Sequence, residues 1–319
     1  FVDWNSPEGY VPLPLSIADT LTPRTHQMLQ LVVVPPSVHA AVVPLEDRRN
    51  IVEPHARNLG IRKAQDNSDW VLSTNTDVIF VPRRDDWKAF LTSTPHSYFA
   101  CPRFELPEYF WESLPRTDPL EARELIRKFS EIALLERAIE SHDYCLYDAP
   151  GDFQLVRREV ALDIGGFDES MLYGWHVDSN FAKRVWLETE SVGSIADELS
   201  IYHCNHNRIP TQYQASGSRS NSPVAFVDSL SFGNHRNPVD DWGLINFSIE
   251  KVSLADALMQ WNRMLDVRSS TGEKKKAMGG KRSRLETESR YSGFAVDESL
   301  PFLIDPIVAM EVPPSTLYL

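Results

Sequence analysis

Trp70–Pro82, WVLSTNTDVIFVP, is the stretch on which the reading of this chain turns. Two short apolar runs, Trp70-Val71-Leu72 and Val78-Ile79-Phe80-Val81, flank the polar cluster Ser73-Thr74-Asn75-Thr76-Asp77, and Pro82 ends the second run. Short apolar runs between turn residues read as buried strands. A carboxylate at the break between two buried strands is costly to bury unless it is paired or holds a metal. Asp77 is therefore the first residue to question. The competing reading is a turn in which Asn75 and Asp77 bond their own backbone.

Outward from this stretch, strands and helices alternate. Phe1 to Trp4 reads as the end of a strand running into the turn Asn5-Ser6-Pro7-Glu8-Gly9. An aspartate at a strand's carboxyl end, here Asp3, is well placed to meet a ligand, because open α/β sheets bind there; an Asx turn is the alternative. Residues 17–29 are weakly helical, and Leu29 to Val34 is a β run stopped by Pro35-Pro36. Val52, His55, Ala56, Leu59 and Ala64 recur at helical spacing, which predicts a helix over 51–67. Asp85 to Leu91 begins a helix with an acidic first turn, and Tyr98 to Cys101 is a strand. Asp118-Pro119 opens a long helix, with Asp as its cap and Pro at its first position. Its apolar face is Leu125, Phe129, Ile132, Leu135 and Ile139. Further strands are predicted at 153–156, 192–196 and 200–203, and helices at 158–164 and 178–187, the first closed by Gly165-Gly166. This alternation predicts an α/β fold whose central sheet is mostly parallel and flanked by helices.

Past about Asn207 the pattern fades. Residues 207–268 read as a less regular C-terminal extension, with a Ser/Gly/Asn-rich loop over 212–223 and one amphipathic helix over 254–265. Residues 269–319 read as a polar linker, carrying Lys274-Lys275-Lys276 and Lys281-Arg282-Ser283-Arg284, and an apolar, Pro-rich tail that begins another region. The basic tract reads as solvated, with peripheral contact to anionic lipid as the alternative.

The composition, 42% hydrophobic and 24% charged over 319 residues, is that of a globular protein with one large or two smaller domains. A net charge of -13 argues against a general nucleic-acid binder, which needs a basic face. It leaves room for a phosphorylated small molecule held at a local site. Three cysteines, Cys101, Cys145 and Cys204, are too few and too scattered for a disulfide framework or a four-cysteine zinc site, so a cytoplasmic setting is expected. No apolar run approaches the roughly 18 residues of a membrane span. A chain opening on Phe1 and closing on Leu319 reads as a piece of something longer.

Four separated pieces fit one template. They are Val2-Asp3-Trp4-Asn5; then Ala56-Arg57-Asn58-Leu59-Gly60-Ile61-Arg62-Lys63-Ala64 with Asn75-Thr76-Asp77; then Gly151-Asp152-Phe153, Gly165-Gly166-Phe167-Asp168-Glu169 and Gly174-Trp175-His176-Val177-Asp178; and finally Tyr202-His203-Cys204-Asn205-His206. Their order and spacing resemble the GT-A fold glycosyltransferases, in particular the family-2-like enzymes, over residues 1 to about 206. The resemblance implies a Rossmann-like GT-A domain over that range. It implies transfer of a sugar from a nucleoside diphosphate sugar, a UDP-sugar being favoured, to a hydroxyl on a saccharide or glycan. Transfer would be inverting and assisted by Mn²⁺ or Mg²⁺.

The resemblance also implies roles. Asp3 would accept a hydrogen bond from the nucleotide base, and Arg57 and Asn58 would face the nucleotide. Asn75 and Asp77 stand where the family has its Asp-x-Asp metal motif, with Asn in place of the first Asp. One carboxylate plus substrate phosphates can still hold a hard cation. His203 lies where many relatives place a further metal ligand, with His206 as the competing choice. Asp178 would be the general base that takes the proton from the acceptor hydroxyl; a plain helix cap is its alternative. Val177 and Asn180 stand where the family carries acids, and Arg184 keeps its expected place. Trp175, His176 and Asp168 would meet the acceptor. The family's opening strand and helix would lie before Phe1. Two other readings stand beside this one. A GT-A-like module that binds sugar nucleotide or glycan without catalysis is favoured by Asn75, Val177 and Asn180. A sugar-nucleotide pyrophosphorylase would need a Gly-rich, basic loop after its first strand, which this sequence does not show.

Overall fold

The structure, a computed structural model, describes residues 1–7, 9–43, 52–84, 86–138, 151–172, 177–206 and 237–270. The expected loop over 212–223, the polar linker and the apolar tail lie almost wholly outside them. So do Trp175 and His176.

Strand β1 (Val2–Trp4) is followed by α1 (Leu13–Ser16), a 3-10 turn and α2 (Pro23–Met28), the weakly helical stretch of the sequence. Strand β2 (Gln30–Val34) leads into α3 (Pro36–Val42). Pro35-Pro36 does stop the strand, but Pro36 then starts a helix, because a missing N–H costs nothing at a first helical position. Helix α4 (Glu53–Lys63) precedes the two decisive runs, which are strands β3 (Trp70–Thr74) and β4 (Val78–Pro82). Helix α5 (Trp87–Ser93), β5 (Tyr98–Ala100), β6 (Arg103–Leu106) and α6 (Glu108–Trp111) follow. Helix α7 (Pro119–Ile132) is capped as its sequence predicts, Asp118 accepting from the Leu120 and Glu121 N–H groups. It ends at Ile132, short of the expected Leu135, because Ala133 turns extended and the chain pairs with β6 as β7 (Arg137–Ala138). The remaining elements are β8 (Phe153–Arg157), α8 (Arg158–Asp163), α9 (Val177–Thr189), β9 (Val192–Ser194), β10 (Leu199–Cys204), β11 (Lys251–Ser253) and α10 (Leu254–Ser270). Among the described residues, no helix is long and apolar enough to cross a membrane.

The fold is mixed α/β, but the single mostly parallel sheet is not what the described residues form. The strands make three small mixed sheets, ordered β1-β2-β11, β4-β10-β6-β7 and β3-β8-β5-β9. Parallel pairs are β1/β2, β10/β6 and β5/β9. The pairs β10/β4, β11/β2, β3/β8, β5/β8 and β6/β7 are antiparallel. The reason lies in the connections. Parallel neighbours need a crossover of a dozen or more residues. Yet β3 and β4 are separated only by Asn75-Thr76-Asp77, and β5 and β6 only by Cys101-Pro102. Those short links carry the chain from the β3-β8-β5-β9 sheet into the β4-β10-β6-β7 sheet, and the step from β9 to β10 does the same. Asp77 stands at one of these crossings.

Register then sets its neighbours. In β10, His203 lies opposite Val78, the residue after Asp77, and on its other side opposite Glu105 of β6. The Cys204 N–H donates to the Asp77 carbonyl at 2.9 Å. Helix α4 packs against both β1 and β3, so it spans two of the sheets.

Two glycines, one within α4 and one packed against it, behave oppositely. Gly166 sits at φ +66°, and a Cβ there would overlap the Asn58 amide oxygen. Gly60 lies within α4, where a Cβ would meet Val2 Cγ2 at an ordinary 3.9 Å. Gly166→Ala is expected to cost more than about 1 kcal/mol, whereas Gly60→Ala is expected to gain about 0.5–1 kcal/mol, both read by urea unfolding.

Candidate metal centre

Three side chains converge at the crossing between β3 and β4. His203 Nε2 lies 3.2 Å from Asp77 Oδ2, and His206 Nε2 lies 3.3 Å from the same oxygen. One donor atom from each residue falls within 4.8 Å of the other two. His203, in the last turn of a wholly buried strand, is 3% exposed, whereas His206 stands just beyond the strand end. The second Asp77 oxygen, Oδ1, is sealed from water and has no hydrogen-bond partner among the described residues. A buried carboxylate oxygen in that state is costly unless something else engages it. His203 and His206, left as competing choices in the sequence, both face Asp77.

The far side of His203 is also held. Its Nδ1 lies 2.6 Å from Glu105 Oε2. Arg103 Nε donates to Glu105 Oε1 at 2.9 Å, and Arg103 Nη1 donates to Asp152 Oδ2 at 2.7 Å. The Thr74 hydroxyl fixes the Asp152 backbone carbonyl at 2.7 Å, which ties β3 to the start of β8. Asp152 appeared in the sequence only as part of a glycine motif. Glu105 and Arg103 were passed over, because a four-residue run with two charges does not read as a strand. Their signal was the register opposite β10, which a single sequence does not display.

Burial alone would raise the Asp77 carboxyl, but the hydrogen bonds and charge of His203, with the His206 hydrogen bond, outweigh it and bring it down to about 2. Burial likewise opposes charging His203, and the hydrogen bonds to Asp77 and Glu105, reinforced by their charges, lift it to about 9. Glu105 is held below its ordinary value, burial being outweighed by His203 and by Arg103.

A second group of charges lies along α4 and the start of α9. Arg57 donates to Glu53 at 2.8 Å, to the Ser73 hydroxyl at 2.5 Å and to the Asn75 amide oxygen at 3.0 Å. Asn75 is thus spent on Arg57 rather than on the Asp77 cluster. Asp178 lies in the first turn of α9, and a Cβ on Gly151 would overlap its carboxylate, so only glycine fits at that position. Asp178 Oδ1 is buried without a hydrogen-bond partner among the described residues, although the residue keeps part of its surface open. Desolvation raises Asp178 to about 7; the Arg57 charge opposes that rise, while Glu53 and Asp152 add to it. Arg57 therefore reaches Asn75 on one side and acts on Asp178 on the other. Asp152 acts on Asp178 and, through Arg103, touches Glu105. Asp178 thus feels the charge of Asp152, which is joined through Arg103 and Glu105 to His203.

Several expected site residues make structural contacts in the described residues. Asn58 is fully buried: its Nδ2 donates to the Phe167 carbonyl and to Glu169, and its Oδ1 accepts from the Phe167 N–H at 2.6 Å. It latches the Gly-Gly-Phe-Asp-Glu loop and does not face an open hollow. Arg184 is buried and donates to the Ile164 and Gly166 carbonyls of the same loop. Asp168 is buried too, accepting from the N–H and hydroxyl of Ser170, an Asx turn rather than an exposed acceptor contact. Asp3 lies in β1 of a different sheet, where burial raises its carboxyl and the Ser6 hydroxyl donates to Oδ1 at 2.9 Å. No contact among the described residues joins it to the cluster. No protein-family model matches the chain, and no curated protein matches it in sequence.

The Asp178 shift has a consequence for stability. A carboxyl raised from 3.8 to about 7 keeps its proton longer in the folded state than in the unfolded one. Its favourable contribution is complete below pH 3.8 and is lost as pH rises through about 7. Asp178→Asn removes that loss. The variant is expected to gain stability on wild type as pH rises from 4 to 8, measured by urea unfolding across the series.

Proposed function

We propose that the chain is a metal-dependent glycosyltransferase of the GT-A kind, moving a sugar from a nucleoside diphosphate sugar, UDP-linked by preference, to a hydroxyl of a saccharide or glycan. The observation that carries this reading is the convergence of Asp77, His203 and His206 on one point, with the buried Asp77 Oδ1 left unsatisfied. The donor set suits a divalent cation: one carboxylate with two imidazoles favours Mn²⁺ over Mg²⁺, which prefers oxygen ligands alone. When bound, the cation would offset charge building on the departing diphosphate.

The remaining work falls to the chain's own groups. The Asp178 carboxylate takes the proton of the attacking hydroxyl as that oxygen bonds to the anomeric carbon and the diphosphate leaves from the opposite face. A base near 7 is matched to neutral pH, where it is about half ionised yet still basic. Arg57 keeps the ionised form accessible. The buried thiols of Cys101 and Cys204, neither in a disulfide, agree with a cytoplasmic setting. A second reading, a non-catalytic module that binds the same ligands, is favoured by Asn75, which Arg57 engages where the family carries a metal carboxylate.

The test is UDP release from a panel of UDP-sugars, with glycan acceptors and Mn²⁺. Release should require the cation and should vanish in Asp77→Asn and His203→Ala. Asp178→Asn should lose transfer by roughly 10²–10⁴-fold while still binding Mn²⁺. The wild-type kcat/KM should climb with pH and level off above about 7, as Asp178 ionises. Binding of UDP and Mn²⁺ with no turnover on any sugar would favour the binding module. Because His203 carries a proton up to about 9, Mn²⁺ uptake at pH 7 should release protons, seen as a buffer-dependent heat in calorimetry.

A further inference from the structure

Resting on that metal reading, we infer that Glu105 is a positioning residue: it fixes the His203 ring so that Nε2, and not Nδ1, is presented to the cation, and Arg103 and Asp152 hold Glu105 in place for that purpose. The two nitrogens of an imidazole are distinct, and the hydrogen bond made by one decides what the other can do. Here the Nδ1 side is closed by Glu105 Oε2 at 2.6 Å, and Nε2 looks toward Asp77 Oδ2 at 3.2 Å. Glu105 lies outside the donor cluster, behind the ring, so it acts through His203 rather than as a ligand.

The placement is rigid at every step. His203 and Glu105 are register partners in adjacent parallel strands, so the backbone already sets their side chains on one row. Glu105 Oε1 is held by Arg103 Nε at 2.9 Å, which leaves Oε2 for the imidazole. Arg103 in turn is anchored by Asp152, itself 1% exposed. The His206 arm differs. It follows the end of β10 and its side chain is 37% exposed, against 3% for His203. Loss of the Glu105 contact therefore falls on the arm the fold has made stiff. Carboxylate partners behind metal-binding histidines commonly govern affinity by 10–100-fold.

The experiment uses Co²⁺ as a spectroscopic probe on the full chain, with circular dichroism confirming the fold of each variant. Wild type should bind Co²⁺ with ligand-field bands that His203→Ala loses. Glu105→Leu should weaken Co²⁺ by roughly 10–100-fold and shift the bands, because the ring is free to turn. Glu105→Gln, which keeps an acceptor oxygen for Nδ1–H, should return affinity to within a few-fold of wild type. Where Glu105→Leu fails to fold, the tautomer is read directly: in the Zn²⁺-loaded wild type, ¹⁵N shifts should show His203 protonated at Nδ1 and metallated at Nε2. Unchanged affinity and bands in Glu105→Leu, a Gln variant as weak as the Leu variant, or a His203 metallated at Nδ1 would each overturn the role of Glu105 alone. A wild type that binds neither ion removes the metal reading itself, and this inference with it.

Discussion

His203 is buried between two carboxylates, Asp77 and Glu105, at the rim of a sheet. Removing charges from water costs several kcal/mol for each ion unless partners replace the solvent. The structure meets that demand with an alternating row, Asp77, His203, Glu105, Arg103, Asp152, in which every member contacts the next. The row crosses β10, β6 and the start of β8, so it also ties the two sheets between which the chain passes. Neutralising one member leaves its neighbours buried with a missing partner, which makes the row act as a unit. One place in it is incomplete. Asp77 Oδ1 has no hydrogen-bond partner among the described residues, both imidazoles reaching Oδ2 instead.

Parts of this were legible in the sequence because they follow from local chemistry. An aspartate between two apolar runs must be engaged, and a Tyr-His-x-x-His at the end of a late β run supplies candidates. The caps of α7 and the glycine close of α8 follow from single residues. The parallel sheet did not follow, although its failure was foreshadowed. Links of three and two residues after β3 and β5 cannot carry a parallel crossover, so the alternation of strands and helices was weaker evidence than it looked. Glu105 and Arg103 could not be found by pattern, since their importance comes from lying opposite β10.

Asn58 and Arg184 both belong to the family pattern, and both have a structural account of their own. Both sit near the expected site, and both are consumed by carbonyls and N–H groups of the 165–169 loop. A buried amide or guanidinium is tolerated only when its hydrogen bonds are made, and here the loop makes them. Asn237 reinforces the same loop from the C-terminal extension, donating to the Gly165 and Phe167 carbonyls at 2.6 Å. The extension is thereby part of the support for the loop that leads toward α9, and not an appendage.

Among the described residues, Asp3, Asp77 and Asp178 each keep one buried oxygen without a partner, and their surroundings separate them. At Asp3, burial lifts the carboxyl and the Ser6 hydroxyl, donating to Oδ1, opposes that rise. Asp77 goes the other way: two imidazoles drive it to about 2, and it stays an anion at any ordinary pH. Its unmet oxygen therefore asks for a cation or a donor from outside the described residues. Asp178 differs from both. At about 7 it exchanges its proton near neutrality, which a purely structural carboxylate has no need to do. The fold places a permanently charged carboxylate and an exchangeable one on a shared framework of Arg57, Arg103 and Asp152. The first suits a lasting charge partner and the second a proton that comes and goes, so the two carboxylates are fitted to different chemistry.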